Sequence, residues 1–136
     1  MNKDNHPIPH YVFGHSTRET DQLQLQSRLL FPATQQFLKK AGLTQGMKVL
    51  DVGSGAGDVA LLIADLVGPT GQVVGVEKNP KILETARARA QAAGATHVSF
   101  LEGDLTTLQV EQKFDALAGR YILQHLHEPV GTLRRL

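Results

Sequence analysis

Short apolar runs alternate with amphipathic stretches along most of the chain. Four of the runs are five or six residues long and rich in valine, leucine or alanine: 47–52, 72–77, 97–101 and 113–118. Such runs are typical of strands that are buried on both faces. Helical spacing of apolar residues follows the first and second runs. Strands that alternate with helices predict an α/β domain built on a parallel sheet with flanking helices.

The first forty-two residues follow a different pattern. The first sixteen contain two prolines and a glycine and show no helical period, so we expect an arm. A moderately amphipathic helix should end near residue 30, and a second should begin at Pro32 and stop at Gly42. We therefore expect an N-terminal part with an arm and helices, 1–42, followed by a sheet-containing core, 43–136.

Composition excludes several classes of protein. The chain has 136 residues, enough for one domain, and a formal charge of +1, which argues against a protein that coats nucleic acid or anionic membrane. It has no cysteine, which excludes disulfides, thiol catalysis and cysteine-ligated zinc. The longest fully apolar run is far shorter than the roughly 20 residues of a membrane span. We expect a soluble cytoplasmic domain with no nucleic-acid or membrane partner.

The carboxyl ends of the four predicted strands should share one edge of the sheet. Right-handed crossovers between parallel strands impose this arrangement, and ligands of such sheets bind at that edge. The loops after Val52, Val76, Leu101 and Ala118 are therefore expected to converge, although they lie far apart in sequence.

The first of these loops carries glycines at 53, 55 and 57, between a strand and a helix. Alternate glycines let the backbone turn tightly and let a ligand approach main-chain amides. Gly55, Gly57 and Ala60 formally match the dinucleotide fingerprint, so a nicotinamide-dependent oxidoreductase is one alternative. Asp51 argues against it, because a carboxylate there repels a pyrophosphate and favours a cationic ligand.

Two further acidic residues follow predicted strands. Glu77 ends the second strand, where a carboxylate can accept both hydroxyls of a ribose; a solvated strand-end carboxylate is the alternative. Asp104 follows the third strand and can hold the amino edge of adenine, or can instead cap a turn. A ribose, an adenine and a positively charged end group together describe S-adenosylmethionine.

Four segments resemble motifs of the class I S-adenosylmethionine-dependent methyltransferases. Residues 49–58 resemble the first motif, 73–77 the acidic ribose motif, 100–105 the adenine-contacting motif, and 114–129 the segment that faces the methyl donor. The match in order and spacing begins near residue 43, and the bacterial small-molecule branch, which includes the quinone-biosynthesis methyltransferases, is most similar. The resemblance implies a Rossmann-like sheet, of which about four of the family's seven strands are present.

The resemblance also implies a set of donor-binding residues. The glycine loop would hold the methionine end of the donor, and the end of the second strand would hold the ribose. The third loop would hold the adenine edge, with Lys78 over the adenine, and the fourth loop would lie beneath the sulfonium. Tyr11 is a candidate lid over the donor, which puts the N-terminal part on the lid or substrate side. The full set is Tyr11, Asp51, Gly53, Ser54, Gly55, Gly57, Glu77, Lys78, Gly103, Asp104, Leu105, Gly119 and Arg120.

His125 is the candidate general base for a hydroxyl or acidic-carbon acceptor. A short helix is predicted over 122–126, and His127 lies on its flank, two residues after His125. The two histidines therefore face different ways and cannot jointly ligate a metal. No metal site is expected. Methyl transfer can also proceed by in-line positioning alone, so catalysis does not require a base.

Three functions remain open at this point. The first is methyl transfer from S-adenosylmethionine to a small-molecule acceptor, with S-adenosylhomocysteine as product, or the donor-binding portion of such an enzyme. The second is a non-catalytic donor-binding or assembly module, and the third is the oxidoreductase. The low strand number suggests a shortened chain or a short domain in which a second copy covers the exposed sheet edge as a homodimer.

Overall fold

The computed structural model describes the backbone from residue 17 onward and the side chains from residue 29 onward. The predicted arm, with Tyr11, lies outside the described residues. The elements are α1 (Thr17–Lys40), β1 (Lys48–Val52), α2 (Asp58–Val67), β2 (Gln72–Glu77), α3 (Pro80–Ala92), β3 (Val98–Glu102), β4 (Ala116–Ala118), a 3₁₀ turn (Leu123–His125) and α4 (Pro129–Arg135).

The four strands form one parallel sheet in the order β3-β2-β1-β4. Val49 of β1 lies opposite Val73 of β2 and Ala116 of β4, and Val73 lies opposite Val98 of β3. The predicted α/β class and the predicted number of strands are confirmed. The order reverses between β1 and β4, and such a reversal opens a crevice at the carboxyl edge of a parallel sheet.

Apolar side chains are buried on both faces of the sheet. Val49 and Val73 point into the larger cluster, with α2 and α3, whereas their neighbours Leu50 and Val74 point into a second cluster on the opposite face. Side chains alternate between faces along a strand, so a strand covered on both sides needs an unbroken apolar run. This explains the continuous runs in the sequence.

Local sequence signals account for two of the helix ends. The Asn79 Oδ1 accepts hydrogen bonds from the amides of Lys81 at 3.0 Å and Ile82 at 3.4 Å, and Pro80 is the first residue of α3. This arrangement satisfies amides that have no partner inside the helix. At the end of α1, Gly42 adopts φ +102°, a conformation that glycine reaches without strain.

The predicted break at Pro32 is wrong. A single helix, α1, runs through this proline from Thr17 to Lys40. An interior proline removes one main-chain hydrogen bond and crowds the preceding turn, but its fixed φ is close to the helical value, so the helix continues at a cost. Burial of Leu38 against the sheet supports the helix beyond the proline.

Two predictions near the end of the chain also need correction. The helix expected over 122–126 is only a 3₁₀ turn, because so short a segment makes too few hydrogen bonds to sustain an α-helix. The fourth strand begins at Ala116 and not at residue 113. Asp115 still joins β1: its amide donates to the Lys48 carbonyl at 2.8 Å, and its Oδ2 accepts from the Lys48 amide at 2.8 Å.

None of the described helices is long and apolar enough to cross a membrane.

Candidate functional site

Hydrogen bonds and packing join the loops at the carboxyl edge of the sheet. The Ser54 amide donates to the Val76 carbonyl at 2.9 Å, which links the first loop to β2. The Gly103 amide donates to the Glu77 carbonyl at 3.1 Å, which links β2 to the third loop. Ile122, after β4, packs directly against Gly53. The predicted convergence of the four loops is therefore confirmed.

The glycine loop between β1 and α2 turns through left-handed backbone conformations. Gly53, Gly55 and Gly57 have φ values of +68°, +53° and +87°, which other residues adopt only with strain. No side chain caps α2, whose cap position is Gly57. The Ser54, Gly55 and Gly57 amides donate within the protein, to the Val76 carbonyl, the Glu77 Oε2 and the Ser54 carbonyl. The uncapped first turn of α2 is therefore the part of this segment that can offer amides to a ligand.

Asp51 and Ser54 lie buried beneath this loop with polar atoms that lack partners. Asp51 is only 1% exposed, and neither its Oδ2 nor the Ser54 Oγ has a hydrogen-bond partner among the described residues. Burial raises the pKa of Asp51 from 3.8 to about 7, although the charge of Arg120 and the amide of Ala60 oppose the shift. Because a buried carboxylate is costly without a partner, this oxygen suits a positively charged ligand group.

Two backbone amides fix the carboxylate of Glu77. Its Oε2 accepts from the Gly55 amide at 3.2 Å and its Oε1 from the Asn79 amide at 3.0 Å. Glu77 is half-buried, so it is more than a solvated residue at the end of a strand. Each carboxylate oxygen keeps a lone pair for a further donor, such as a hydroxyl.

Asp104 forms a turn at the exposed end of the third loop. Its Oδ1 accepts from the Thr106 amide at 2.8 Å and the Thr106 hydroxyl at 2.6 Å. These hydrogen bonds, and to a lesser degree the charge of Lys78, lower the pKa of Asp104. The turn alternative is thus present in the structure, and an adenine contact would have to use the outer side of this carboxylate.

Leu105 and Lys78 flank this turn in different ways. The side chain of Leu105 is buried in the cluster beneath the sheet, with Val74 and Val76, so only its backbone can reach a ligand. Lys78 is exposed after β2. Gly103, half-buried, connects the two loops.

The fourth loop adds two residues to which the sequence motifs gave no role. Tyr121 has φ +62°, which makes it the one non-glycine residue with positive φ in the described part of the chain. Its ring is 63% exposed and lies 5.8 Å from the Arg120 guanidinium carbon. Next to it, Ile122 fills the space against Gly53 and Gly119. Both residues lie within the fourth motif, but neither a positive φ at a tyrosine nor the close packing of Ile122 has a sequence signature.

His125 stands apart from the buried part of the site. It is exposed at the end of the 3₁₀ turn, and its Nε2 lies 3.3 Å from the Gln124 amide nitrogen. The structure does not test its role as a base, so that role stays a prediction. The same holds for Tyr11, which lies outside the described residues.

A groove of about 410 Å³ opens beside the fourth loop. Residues of α1 form one wall, Val59 lies at its base, and β4 with its loop forms the other wall. The lining residues that belong also to the predicted site are Gly119 and Arg120. The groove therefore connects the N-terminal helix to the loop that follows β4.

Known proteins match this chain in sequence. The 2-phytyl-1,4-naphtoquinone methyltransferase of Trichormus variabilis is 39% identical over 101 residues, which cover 73% of this chain and 44% of that protein. The protein-L-isoaspartate O-methyltransferase of Methanothrix thermoacetophila is 46% identical over 70 residues, covering 52% of this chain and 33% of that protein. The chain thus spans less than half the length of these curated relatives.

Solved structures match the fold. A SAM-dependent methyltransferase from Aquifex aeolicus superposes with a TM-score of 0.75 at 25% identity, covering 89% of this chain and 65% of that chain. This confirms the Rossmann-like arrangement of the sheet and its helices. A family model described as a methyltransferase domain matches residues 43–136. Since this match covers most of the chain, the protein belongs to the family of methyltransferase domains.

Proposed function

We propose that this chain binds S-adenosylmethionine at the carboxyl edge of its sheet and serves methyl transfer to a small-molecule acceptor. The observation that carries the proposal is the junction between the glycine loop and Glu77, where the Gly55 amide and the Glu77 Oε2 lie 3.2 Å apart. A carboxylate suited to a ribose, next to the uncapped start of α2 that suits an amino-acid end group, supports this assignment. The methyltransferase relatives support the same interpretation.

The residues present fit such a donor. The unpaired Oδ2 of Asp51 and Oγ of Ser54 lie under the loop that would hold the methionine end, and the buried carboxylate favours the positive charge that the donor carries. Glu77 would bind the ribose hydroxyls, and the turn at Asp104 with the Leu105 backbone would bind the adenine. The donor supplies an electrophilic methyl group on its sulfonium.

The chain's own contribution to catalysis would be positioning. Gly119 and Arg120 would lie beneath the sulfonium, and the packing of Ile122 against Gly53 and Gly119 holds the first and fourth loops at a fixed spacing. A fixed approach of acceptor to methyl group lowers the entropy cost of the in-line reaction.

The acceptor would be a small molecule that enters from the side of α1. Its support is the groove beside Gly119 and Arg120, together with relatives named for a naphthoquinone substrate. His125 would act as a base only for an acceptor with a hydroxyl or an acidic carbon. We expect His125→Gln to leave donor affinity unchanged and to lower turnover only with such acceptors.

Calorimetric titration of the chain with S-adenosylhomocysteine tests donor binding. Glu77→Ala should weaken binding by about tenfold or more, because it removes charge-assisted hydrogen bonds to the ribose and the loop. Glu102→Ala is the matched control, since Glu102 lies opposite Glu77 in the sheet register but ends the exposed edge strand. Its affinity should equal that of the wild type.

Three results would count against the proposal or redirect it. Binding that is equally tight in Glu77→Ala removes the ribose assignment, and no binding by folded wild-type protein removes the donor site. Heat with NADH but none with S-adenosylhomocysteine would instead favour the oxidoreductase. Methyl transfer by the chain, followed with radiolabelled donor, separates an enzyme from a non-catalytic binding module.

A further inference from the structure

Arg89 of α3 reaches the glycine loop and the start of α2. Its Nη1 donates to the Ala56 carbonyl at 2.6 Å, and its Nη2 donates to the Asp58 Oδ1 at 2.8 Å. The side chains of Arg89 and Asp58 are 25% and 35% exposed, so the ion pair is only partly screened by water. More than thirty residues of sequence separate the partners.

The two contacts grip the loop where it has few other side-chain anchors. Ala56 lies between Gly55 and Gly57, both in left-handed conformations, so this stretch has no side chain larger than a methyl group. Asp58 is the first residue of α2, which no side chain caps. One planar guanidinium therefore ties the middle of the loop and the start of the helix to α3.

Glu77 of β2 binds the same loop, since its Oε2 accepts a hydrogen bond from the Gly55 amide. The peptide before Gly55 and the peptide after Ala56 are thus held by two different elements, the first through its amide and the second through its carbonyl. The positive charge of Arg89 is offset by Asp58, so this contact does not place an uncompensated cation beside a cationic ligand.

We propose that Arg89 is a positioning residue that orders the glycine loop for the methionine end of the donor. The inference rests on the proposed function, because it assumes that the donor's amino-acid end lies against this loop. Arg89 does not touch the donor: it holds the Ala56 carbonyl and thereby the direction of the neighbouring loop amides. Its loss should therefore weaken ligands that reach the loop and spare ligands that do not.

The experiment compares two ligands and three variants by calorimetry. S-adenosylhomocysteine has the amino-acid end, whereas 5′-methylthioadenosine has the same nucleoside without it. We expect Arg89→Met to lower affinity for S-adenosylhomocysteine by about tenfold, the usual effect of losing a charge-assisted pair, and to leave methylthioadenosine within about twofold. Arg89→Lys, which keeps the charge but loses the fork, should recover part of the affinity.

Arg87→Met is the matched control on the same helix. Arg87 donates to the Phe100 carbonyl on β3 at 3.0 Å and not to the glycine loop, so both affinities should stay at the wild-type level. Thermal unfolding of each variant shows whether the fold is kept. If Arg89→Met does not fold, Arg89→Lys decides, with a selective loss of S-adenosylhomocysteine affinity expected.

The outcomes separate this inference from the proposed function. No binding of S-adenosylhomocysteine by the wild type overturns the donor site itself. A wild type that binds both ligands, with an Arg89 variant that loses both equally or neither, overturns only the positioning role of Arg89.

Discussion

At the scale of single residues, the buried carboxyl of Asp51 gives the site a dependence on pH. Burial raises its pKa from 3.8 to about 7, so between these values the folded chain holds a proton that the unfolded chain has lost. The free energy of unfolding should therefore fall as pH rises through this window, by at most about 1.4 kcal/mol per pH unit. Asp51→Asn should remove this part of the slope in denaturant unfolding at pH 5, 6 and 7.

Donor binding should show the opposite trend. A positively charged ligand group stabilises the Asp51 anion, so affinity for S-adenosylhomocysteine should rise as pH increases from 6 to 8. Arg120 and Asp58 are the charged groups that act on the same carboxyl. Calorimetry on Asp51→Asn should show weaker binding with a flatter pH profile. A variant with the wild-type profile would mean that Asp51 does not interact with the ligand's charge.

Tyr121 carries backbone strain that can be released. A bulky residue at φ +62° costs on the order of 1 kcal/mol, and its side chain is mostly exposed. Tyr121→Gly should therefore raise the free energy of unfolding by roughly 0.5–1 kcal/mol, and Tyr121→Asn should be close to neutral or slightly stabilising. Urea denaturation measures both. A clear loss of stability in Tyr121→Gly would show that the ring contributes packing that outweighs the strain.

Single residues of the site could be predicted from the sequence where the residue type suits both the chemistry and the backbone conformation. Alternate glycines after a strand predict a tight loop, and an acid at the end of the next strand predicts a carboxylate beside it; the Gly55–Glu77 contact joins the two. Arg89 and Tyr121 could not be predicted from the sequence. The role of Arg89 depends on a tertiary distance, and that of Tyr121 on a single dihedral angle. Nothing in a run of alanines and arginines shows which arginine will reach a carbonyl 33 residues away.

At the scale of elements, a glycine in β2 allows the sheet and the glycine loop to pack closely. A Cβ at Gly75 would lie 2.6 Å from the Phe100 ring and 2.8 Å from the Ser54 Oγ. Gly75→Ala should destabilise the fold by about 1–3 kcal/mol, the usual cost of overpacking, and should also weaken donor binding by displacing Ser54. Phe100→Leu in the same chain should restore part of the stability, which denaturant unfolding would measure.

Gly131→Ala is the control for this substitution. A Cβ there meets only the Glu128 Cβ, at 3.9 Å, and Gly131 lies inside α4. Alanine in a helix should stabilise the chain by up to about 1 kcal/mol. If Gly75→Ala were as harmless as Gly131→Ala, the close packing of Phe100 over β2 would be wrong.

Elements with strong local signals were predictable, and those set by context were not. β2 has the predicted bounds, 72–77, because a turn precedes it and the start of α3 follows it. The helix break predicted at Pro32 was wrong because the tertiary burial of Leu38 outweighs one missing hydrogen bond. The helix predicted after Tyr121 was wrong because the apolar side chain of Ile122 packs against Gly53 and does not form part of an apolar helix face.

At the scale of the whole molecule, the two outer strands of the sheet differ in how their edges are covered. The Val73 amide donates to the His97 carbonyl, and the Gly103 amide donates to the Glu77 carbonyl. The backbone groups of odd-numbered residues in and beside β3 therefore point towards β2, and the Phe100 carbonyl points away from the sheet. The Arg87 guanidinium donates to that carbonyl. No such side-chain bond occupies the outer edge of β4 in the described residues, where Leu117 is 41% exposed.

If a second copy covers a sheet edge, one of the two alternatives that the low strand number suggests, the β4 edge is the candidate site. Sedimentation velocity should then show association that increases with protein concentration. Leu117→Lys should abolish it, because a lysine on an edge strand opposes edge-to-edge pairing. A wild type that sediments as a monomer at every concentration would exclude the homodimer.

The parallel sheet and its carboxyl-edge site could be foreseen, but the strand order could not. Apolar runs report burial on both faces and not which strand lies beside which. The reversal between β1 and β4 is a product of long-range pairing, here between residues more than sixty positions apart. It is this reversal that brings the fourth loop against Gly53.

The central claim is that the donor binds where the glycine loop meets Glu77. Backbone amide NMR of the chain, titrated with S-adenosylhomocysteine, tests it most directly, since each glycine amide is its own probe. The account predicts the largest shifts at Gly53, Gly55 and the amides of residues 77–79, with smaller shifts at 103–105 and 119–120. Saturating ligand that shifts none of these amides, or only those on the outer face of α3, would contradict it.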